Sequence, residues 1–127
     1  MPVLPRIAVL IPCYNEERAV AETVAAFRAA LPDADVYVYD NNSQDRTAQA
    51  AAAAGAIVRR ETHQGKGHVV RRMFSDIEAD IYLLTDGDAT YDAPSATAMI
   101  KKLIDERLDM VVGVRVNREA SAYRRGH

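Results

Sequence analysis

At 127 residues and a formal net charge of −2, the chain is sized for one domain and has no general attraction for nucleic acid or an anionic membrane. Its hydrophobic (49%) and charged (27%) fractions are ordinary for a globular protein, so a disordered or fibrous chain is excluded. No apolar run approaches the roughly 18 residues that span a bilayer, no signal-peptide pattern opens the chain, and its single cysteine, Cys13, excludes an internal disulfide, so the expected location is the cytoplasm.

In chain order, Arg6-Ile7-Ala8-Val9-Leu10-Ile11-Pro12 is a continuous apolar run stopped by proline, the pattern of a central strand buried on both faces. Val20, Val24, Phe27 and Leu31 then fall on one helical face, with Glu16 and Glu17 near the helix start and Pro32 closing it. Val36-Tyr37-Val38-Tyr39 is a second strand ending in Asp40-Asn41-Asn42. Ser43 is the expected N-cap of an alanine-rich helix that Gly55 terminates. Residues 56–60 form a short third strand, and Val70, Met73, Phe74 and Ile77 supply the apolar stripe of a third helix.

Ile81-Tyr82-Leu83-Leu84 is the fourth strand and runs into Thr85-Asp86-Gly87-Asp88. Pro94 fits a first helical turn, and Met99, Ile100, Leu103 and Ile104 mark the stripe of the helix that follows. Residues 110–114 read as a fifth strand. Strands alternating with helices of this length predict an α/β fold, a mostly parallel, doubly wound sheet with helices on both faces and right-handed crossovers.

In such sheets ligands bind outside the carboxyl ends of the strands, where the strand order reverses. The unusual residues gather at those ends: Pro12-Cys13-Tyr14-Asn15-Glu16, Asp40-Asn41-Asn42, Gln64-Gly65-Lys66-Gly67, Asp86-Gly87-Asp88 and Arg115. Asp86 and Asp88, at i and i+2 with a glycine between them, suit Mg²⁺ or Mn²⁺, which take carboxylates together with substrate phosphates; an Asp-Gly-Asp turn that merely ends a strand is the bland alternative. The Gly65-Lys66-Gly67 segment precedes a helix and can hold an anion on its amides, but it is neither a Walker loop nor a dinucleotide fingerprint, so a nicotinamide cofactor is not expected. Cys13 reads as a small packing residue, and His63 and His68 as solvated or hydrogen-bonded side chains rather than metal ligands.

Ile11-Pro12-Cys13-Tyr14-Asn15-Glu16-Glu17, the stretch from Tyr39 to Thr47, Gly65-Lys66-Gly67 and Thr85-Asp86-Gly87-Asp88 together resemble a family 2 glycosyltransferase of the GT-A fold. The continuation Ala89-Thr90-Tyr91-Asp92-Ala93-Pro94 resembles the dolichyl-phosphate mannose synthase and polyprenyl-phosphate glycosyltransferase group. The resemblance implies transfer of a sugar from a UDP- or GDP-sugar to an acceptor, a polyprenyl or dolichyl phosphate in that group, with Mg²⁺ or Mn²⁺ as cofactor. It implies that Pro12, Tyr14, Asn15 and Glu16 wrap the nucleotide, Asp40 bonds the base, and Asn41, Lys66 and Gly87 lie in the nucleotide-sugar site. Asp86 and Asp88 would be the catalytic metal ligands, with Thr90 a weaker third contact. His63 stands where the family often carries asparagine.

A polyprenyl-phosphate acceptor is already anionic and needs cations rather than a base, and Arg115, Arg118, Arg124 and Arg125 match phosphate geometry. A disordered basic tail is the other reading of those four arginines. Family members continue further, so residues 1–127 are expected to be one nucleotide-sugar-binding domain, truncated at the C-terminus, with the acceptor part missing and membrane association belonging to the longer protein. Three alternatives remain: a catalytically incomplete binding fragment, a glycosyltransferase acting on a saccharide hydroxyl, or an unrelated class. Among unrelated classes, a sugar-1-phosphate nucleotidyltransferase wants a glycine-rich basic loop after strand one, and a receiver domain wants an aspartate ending strand three, where Arg59-Arg60 stands.

Overall fold

A computed structural model of the protein describes residues 5–85, 87 and 93–106. Its elements are β1 (Ile7–Cys13), α1 (Val20–Ala30), β2 (Asp35–Asp40), α2 (Thr47–Ala53), β3 (Ile57–Arg60), α3 (Lys66–Asp76), β4 (Ile81–Leu84) and α4 (Ala93–Asp105). The strands form one parallel sheet in the order β3-β2-β1-β4, so the order reverses between β1 and β4. The predicted fifth strand lies outside the described residues.

Strand alternation splits the core in two. Val9, Ile11 and Cys13 of β1, Val36 and Val38 of β2, and Ile81 and Leu83 of β4 face α1, α2 and α4. Ala8 and Leu10 of β1 and Tyr39 of β2 face α3. Helices therefore cover both faces, and β1 and β2 are buried on each, as their continuous apolar sequence requires. All four residues of the predicted α1 stripe, Val20, Val24, Phe27 and Leu31, are buried. Gly55 ends α2 with φ 103°, a conformation open chiefly to glycine.

The expectation that Pro12 stops β1 is corrected: the strand continues to Cys13. Pairing with β4 runs only to Leu10↔Leu84, closed by the Thr85 N–H donating to Leu10 O (3.0 Å), whereas pairing with β2 runs on to Cys13↔Asp40. Alternate residues of a parallel strand address opposite neighbours. Pro12 shares the parity of Leu10 and so faces the β4 side, where the ladder has already ended and its missing N–H forfeits nothing.

Two helix expectations are also corrected. The buried stripe of α3 is Val69, Met73 and, just past its end, Ile77, while Phe74 stays 42% exposed with its ring edge-on to Tyr82 at 4.9 Å. The Tyr39 hydroxyl donates to Asp76 Oδ2 at 2.7 Å, so Asp76 shares the sheet-facing side of α3 with Val69 and Met73, and Phe74 lies off that side. Pro94 lies in the first turn of α4 as expected, and of its stripe Ile100 is buried and Leu103 packs on the same core, but Ile104 is exposed and Ala96 is buried instead.

Candidate functional site

The carboxyl end of β1 leads into a loop that bonds reciprocally to the segment after β2. Asn15 adopts φ 52°, a left-handed conformation that asparagine tolerates better than most residues. Its N–H donates to Ser43 Oγ (2.8 Å), and its Oδ1 accepts the Gln44 N–H (2.8 Å). The Glu16 N–H donates to Thr47 Oγ1 (2.8 Å), and the Thr47 hydroxyl donates in turn to Asp45 Oδ1 in a short bond. Asp45 also accepts the Thr47 and Glu17 amides, and Glu17 Oε1 accepts the Arg46 N–H. The Thr47 hydroxyl, first among these contacts, holds the Asp45 carboxyl below its usual range.

Ser43 is therefore not the N-cap of α2, which begins at Thr47. Its hydroxyl serves the Asn15 amide instead, and Asp45, ahead of the helix, accepts the Thr47 amide. With these loops zipped together, Tyr14 is left 48% exposed and Glu16 half-buried.

Asp40 ends β2 beside Cys13 and is buried, with Oδ1 3.3 Å from the Ser43 N–H it accepts. Asn41 is also buried; its side-chain amide contacts the loop after β3, where Nδ2 donates to Glu61 O and His63 O and Oδ1 accepts the Gly65 N–H. Asn42, at φ 64°, donates to Thr62 O and Gln64 Oε1. Lys66 is exposed and opens α3 directly after Gly65.

A buried carboxylate braces the same loop from below. Glu61 Oε2 accepts the His63 N–H at 2.8 Å, and Oε1 lies 3.6 Å from Arg72 Nη1. The His63 amide, first, and the Arg72 charge hold Glu61 below the usual carboxylate range. Arg72 Nε also donates to Asp76 Oδ2 (3.0 Å), the acceptor of the Tyr39 hydroxyl. The Tyr39 hydroxyl, before Arg72, lowers the Asp76 carboxyl, while burial and then Asp76 push Tyr39 up to about 12. His63 and His68 stack tilted at 4.9 Å on the exposed rim.

On the β4 side of the end of β1, Gly87 packs where a side chain will not fit: a β-carbon there would stand 2.4 Å from Cys13 Sγ and 3.5 Å from Glu16 Cγ. Gly87 thus lies against the Cys13–Glu16 loop at the end of β1. Thr85, just before it, is buried with its hydroxyl unpartnered among the described residues.

The described structure brings together Pro12, Tyr14, Asn15, Glu16, Asp40, Asn41 and Gly87 at adjoining strand ends, with Lys66 at the far side of the Asn41 loop. Asp86, Asp88, Thr90, Arg115, Arg118, Arg124 and Arg125 lie outside the described residues. Among the described residues, no group of three or more His, Cys, Asp or Glu side chains is disposed to hold a metal ion, and no helix is long and apolar enough to cross a membrane. Asp45, Thr47 and Glu61 serve as scaffold residues, a role the sequence pattern does not assign them, and Ser43, expected as a helix cap, serves the Asn15 amide instead. The Ser-x-Asp-x-Thr spacing was a usable signal, since these residues favour local side-chain to backbone bonds; nothing around Glu61 marked it.

The model of the family described as Glycosyl transferase family 2 matches residues 8–127. The chain belongs to glycosyl transferase family 2. This family 2 chain is 57% identical to Protein RfbJ of Shigella flexneri over 122 residues, 95% of each chain. It spans far less of other curated relatives, 38%, 29% and 48% of three of them.

Among solved structures, mannosyl-3-phosphoglycerate synthase from Rubrobacter xylanophilus matches at a TM-score of 0.72 and 24% identity, over 80% of this chain and 37% of that one. The mannosyltransferase PcManGT from Pyrobaculum calidifontis, solved with GDP-Man and Mn²⁺, matches at a TM-score of 0.69 and 27% identity, over 78% of this chain and 32% of that one. The parallel sheet with helices on both faces is the GT-A arrangement expected of the family.

Proposed function

We propose that this family 2 chain binds a UDP- or GDP-sugar in the crevice between β1 and β4 and forms the donor half of a transferase whose acceptor is a polyprenyl or dolichyl phosphate. The observation that carries this reading is the packing of Gly87 on Cys13 beside Glu16, because it brings the residue that stands between Asp86 and Asp88 in the sequence to the loop that follows β1. That edge of a doubly wound sheet is where ligands bind. The relative solved with GDP-Man and Mn²⁺ supports the same choice of donor class.

In this reading Pro12, Tyr14, Asn15 and Glu16 wrap the nucleotide, Asp40 accepts a hydrogen bond from the base, and Lys66 offsets diphosphate charge. Asp86 and Asp88, with Thr90 as a weaker oxygen donor, are the residues to hold Mg²⁺ or Mn²⁺, hard cations that take oxygen ligands. The close backbone approach at Gly87 fits such a site, since a glycine lets the chain pass hard against Cys13 and Glu16. When bound, the cation supplies charge stabilisation to the departing diphosphate, so no general acid is required. Arg115, Arg118, Arg124 and Arg125 are the cations available to an acceptor phosphate. Such an acceptor would bring the chain to a membrane surface.

The test is transfer of labelled sugar from UDP- and GDP-linked donors to polyprenyl phosphate in detergent, followed by extraction into organic solvent. Label in the organic phase, lost with Asp88→Ala, is the expected result. Label passing only to a saccharide acceptor replaces the lipid acceptor, and donor binding without transfer to either identifies a binding fragment.

A further inference from the structure

We infer that Asn41 is a positioning residue that acts on the donor through Lys66 rather than by touching the nucleotide, an inference resting on the donor-site reading above. Asn41 follows the last residue of β2, is 4% exposed, and is tied to β1 by its N–H donating to Cys13 O at 2.9 Å. Its carboxamide donates to Glu61 O and to His63 O, each at 2.8 Å, and accepts the Gly65 N–H at 2.8 Å. A carboxamide has two N–H donors, so both are committed to the loop. The orientation is dictated by the partners, because the flipped amide would set its oxygen against two carbonyl oxygens.

The loop it grips ends at the start of α3. Gly65 has φ 122°, and its carbonyl accepts the His68 and Val69 amides (3.1 and 3.3 Å), so it is the residue from which α3 departs. Lys66 is the next residue. Asn41 therefore joins the tip of β1, the tip of β2 and Gly65, the residue that precedes α3, and sets where Lys66 stands relative to the β1 loop. Neighbouring bonds reinforce the same clasp: the Glu61 N–H donates to Asp40 O at 3.1 Å, and Asn42 donates to Thr62 O at 2.9 Å. A side chain that is buried, with both donors engaged by one loop, has no donor left for a nucleotide.

A double-mutant cycle on the full chain tests this, using calorimetric affinity for UDP- and GDP-sugars with Mn²⁺ and four proteins: wild type, Asn41→Asp, Lys66→Ala and the double variant. Asn41→Asp keeps the acceptor for Gly65 but sets a carboxylate against two carbonyls. The expected result is roughly a tenfold loss for each single variant and almost no further loss in the double, the signature of one shared contact. Multiplicative losses would overturn the inference, because they assign Asn41 its own contact with the donor.

If Asn41→Asp does not fold, Asn41→Ser replaces it in the cycle, since one hydroxyl can make only one of the two donations. In the wild type without ligand, the Gly65 amide should exchange slowly, and in the variant it should exchange fast while the Val38 and Tyr39 amides stay protected. A Gly65 amide that already exchanges like a surface loop in the wild type overturns the clasp with or without a donor. Wild type that binds neither donor overturns the donor-site reading and the role of Asn41 with it, and is told apart because the wild-type titration is then itself silent.

Discussion

A β-carbon on Gly87 would stand 2.4 Å from Cys13 Sγ, a distance that real contacts do not reach, and the obstacle is a buried thiol rather than a mobile side-chain end. Gly87→Ala should therefore destabilise the protein by about 1–3 kcal/mol through overpacking. In a Cys13→Ala background the same substitution should cost clearly less, because the atom in the way has gone. Urea denaturation of the four proteins measures the difference, and an equal cost in both backgrounds would mean that Gly87 does not pack on Cys13. Cys13 thus has a part that a lone cysteine in a strand does not announce: it is the floor on which the acidic turn's glycine rests. Cys13 is a packing residue as its type suggests, but its partner was hidden by a separation of 74 positions along the chain.

At the scale of elements, the loop after β3 and the helix α3 are held by carboxylates. Glu61 accepts the His63 amide and faces Arg72, and Asp76 accepts both the Tyr39 hydroxyl and Arg72. Both carboxyls are held below their usual range, so their stabilisation is complete above the unfolded pKa of about 4 and is lost as pH falls through the lower folded value. Melting temperature followed by circular dichroism should therefore decline as pH drops from about 4.5 toward 3. Glu61→Gln should melt lower at neutral pH and decline less steeply in acid. Parallel curves for the two proteins would remove Glu61 from the bracing of this loop.

The helix α3 also marks where sequence periodicity gives out. Val70, Met73, Phe74 and Ile77 make a plausible apolar face, yet Val69 is buried and Phe74 is not. The sheet-facing side of α3 also carries Asp76, which meets Tyr39 across 37 residues, a contact that no local pattern contains. By contrast the α1 stripe was legible, because its helix lies flat on a sheet whose own residues alternate and only one face can be buried. Ser43 misled for a related reason. Serine before a helical run is a cap by propensity, and here the Asn15 amide from another loop takes its hydroxyl.

For the whole molecule, the sheet, its two covered faces and the gathering of polar residues at one edge were all legible, because a parallel sheet buried on both sides leaves few arrangements for alternating strands and helices. The strand order β3-β2-β1-β4 then puts the reversal between β1 and β4, next to the Cys13–Glu16 loop and Gly87. What the sequence did not separate was residues facing the crevice from residues that build it. Asn15, Asp40 and Asn41 look alike as polar loop residues, and only the hydrogen bonds distinguish Asn41, buried and gripping the Gly65 loop, from Tyr14, which stands in solvent.

The central claim is that the strand ends of β1 and β4 form a nucleotide-sugar site served by the Asp86-Gly87-Asp88 segment. Isothermal titration of the folded chain with UDP- and GDP-sugars, with and without Mn²⁺, addresses it most directly. The account predicts binding to one of the two donors that requires Mn²⁺ and disappears in Asp86→Ala; absent or metal-independent binding by a folded sample, or binding that Asp86→Ala leaves intact, would contradict it.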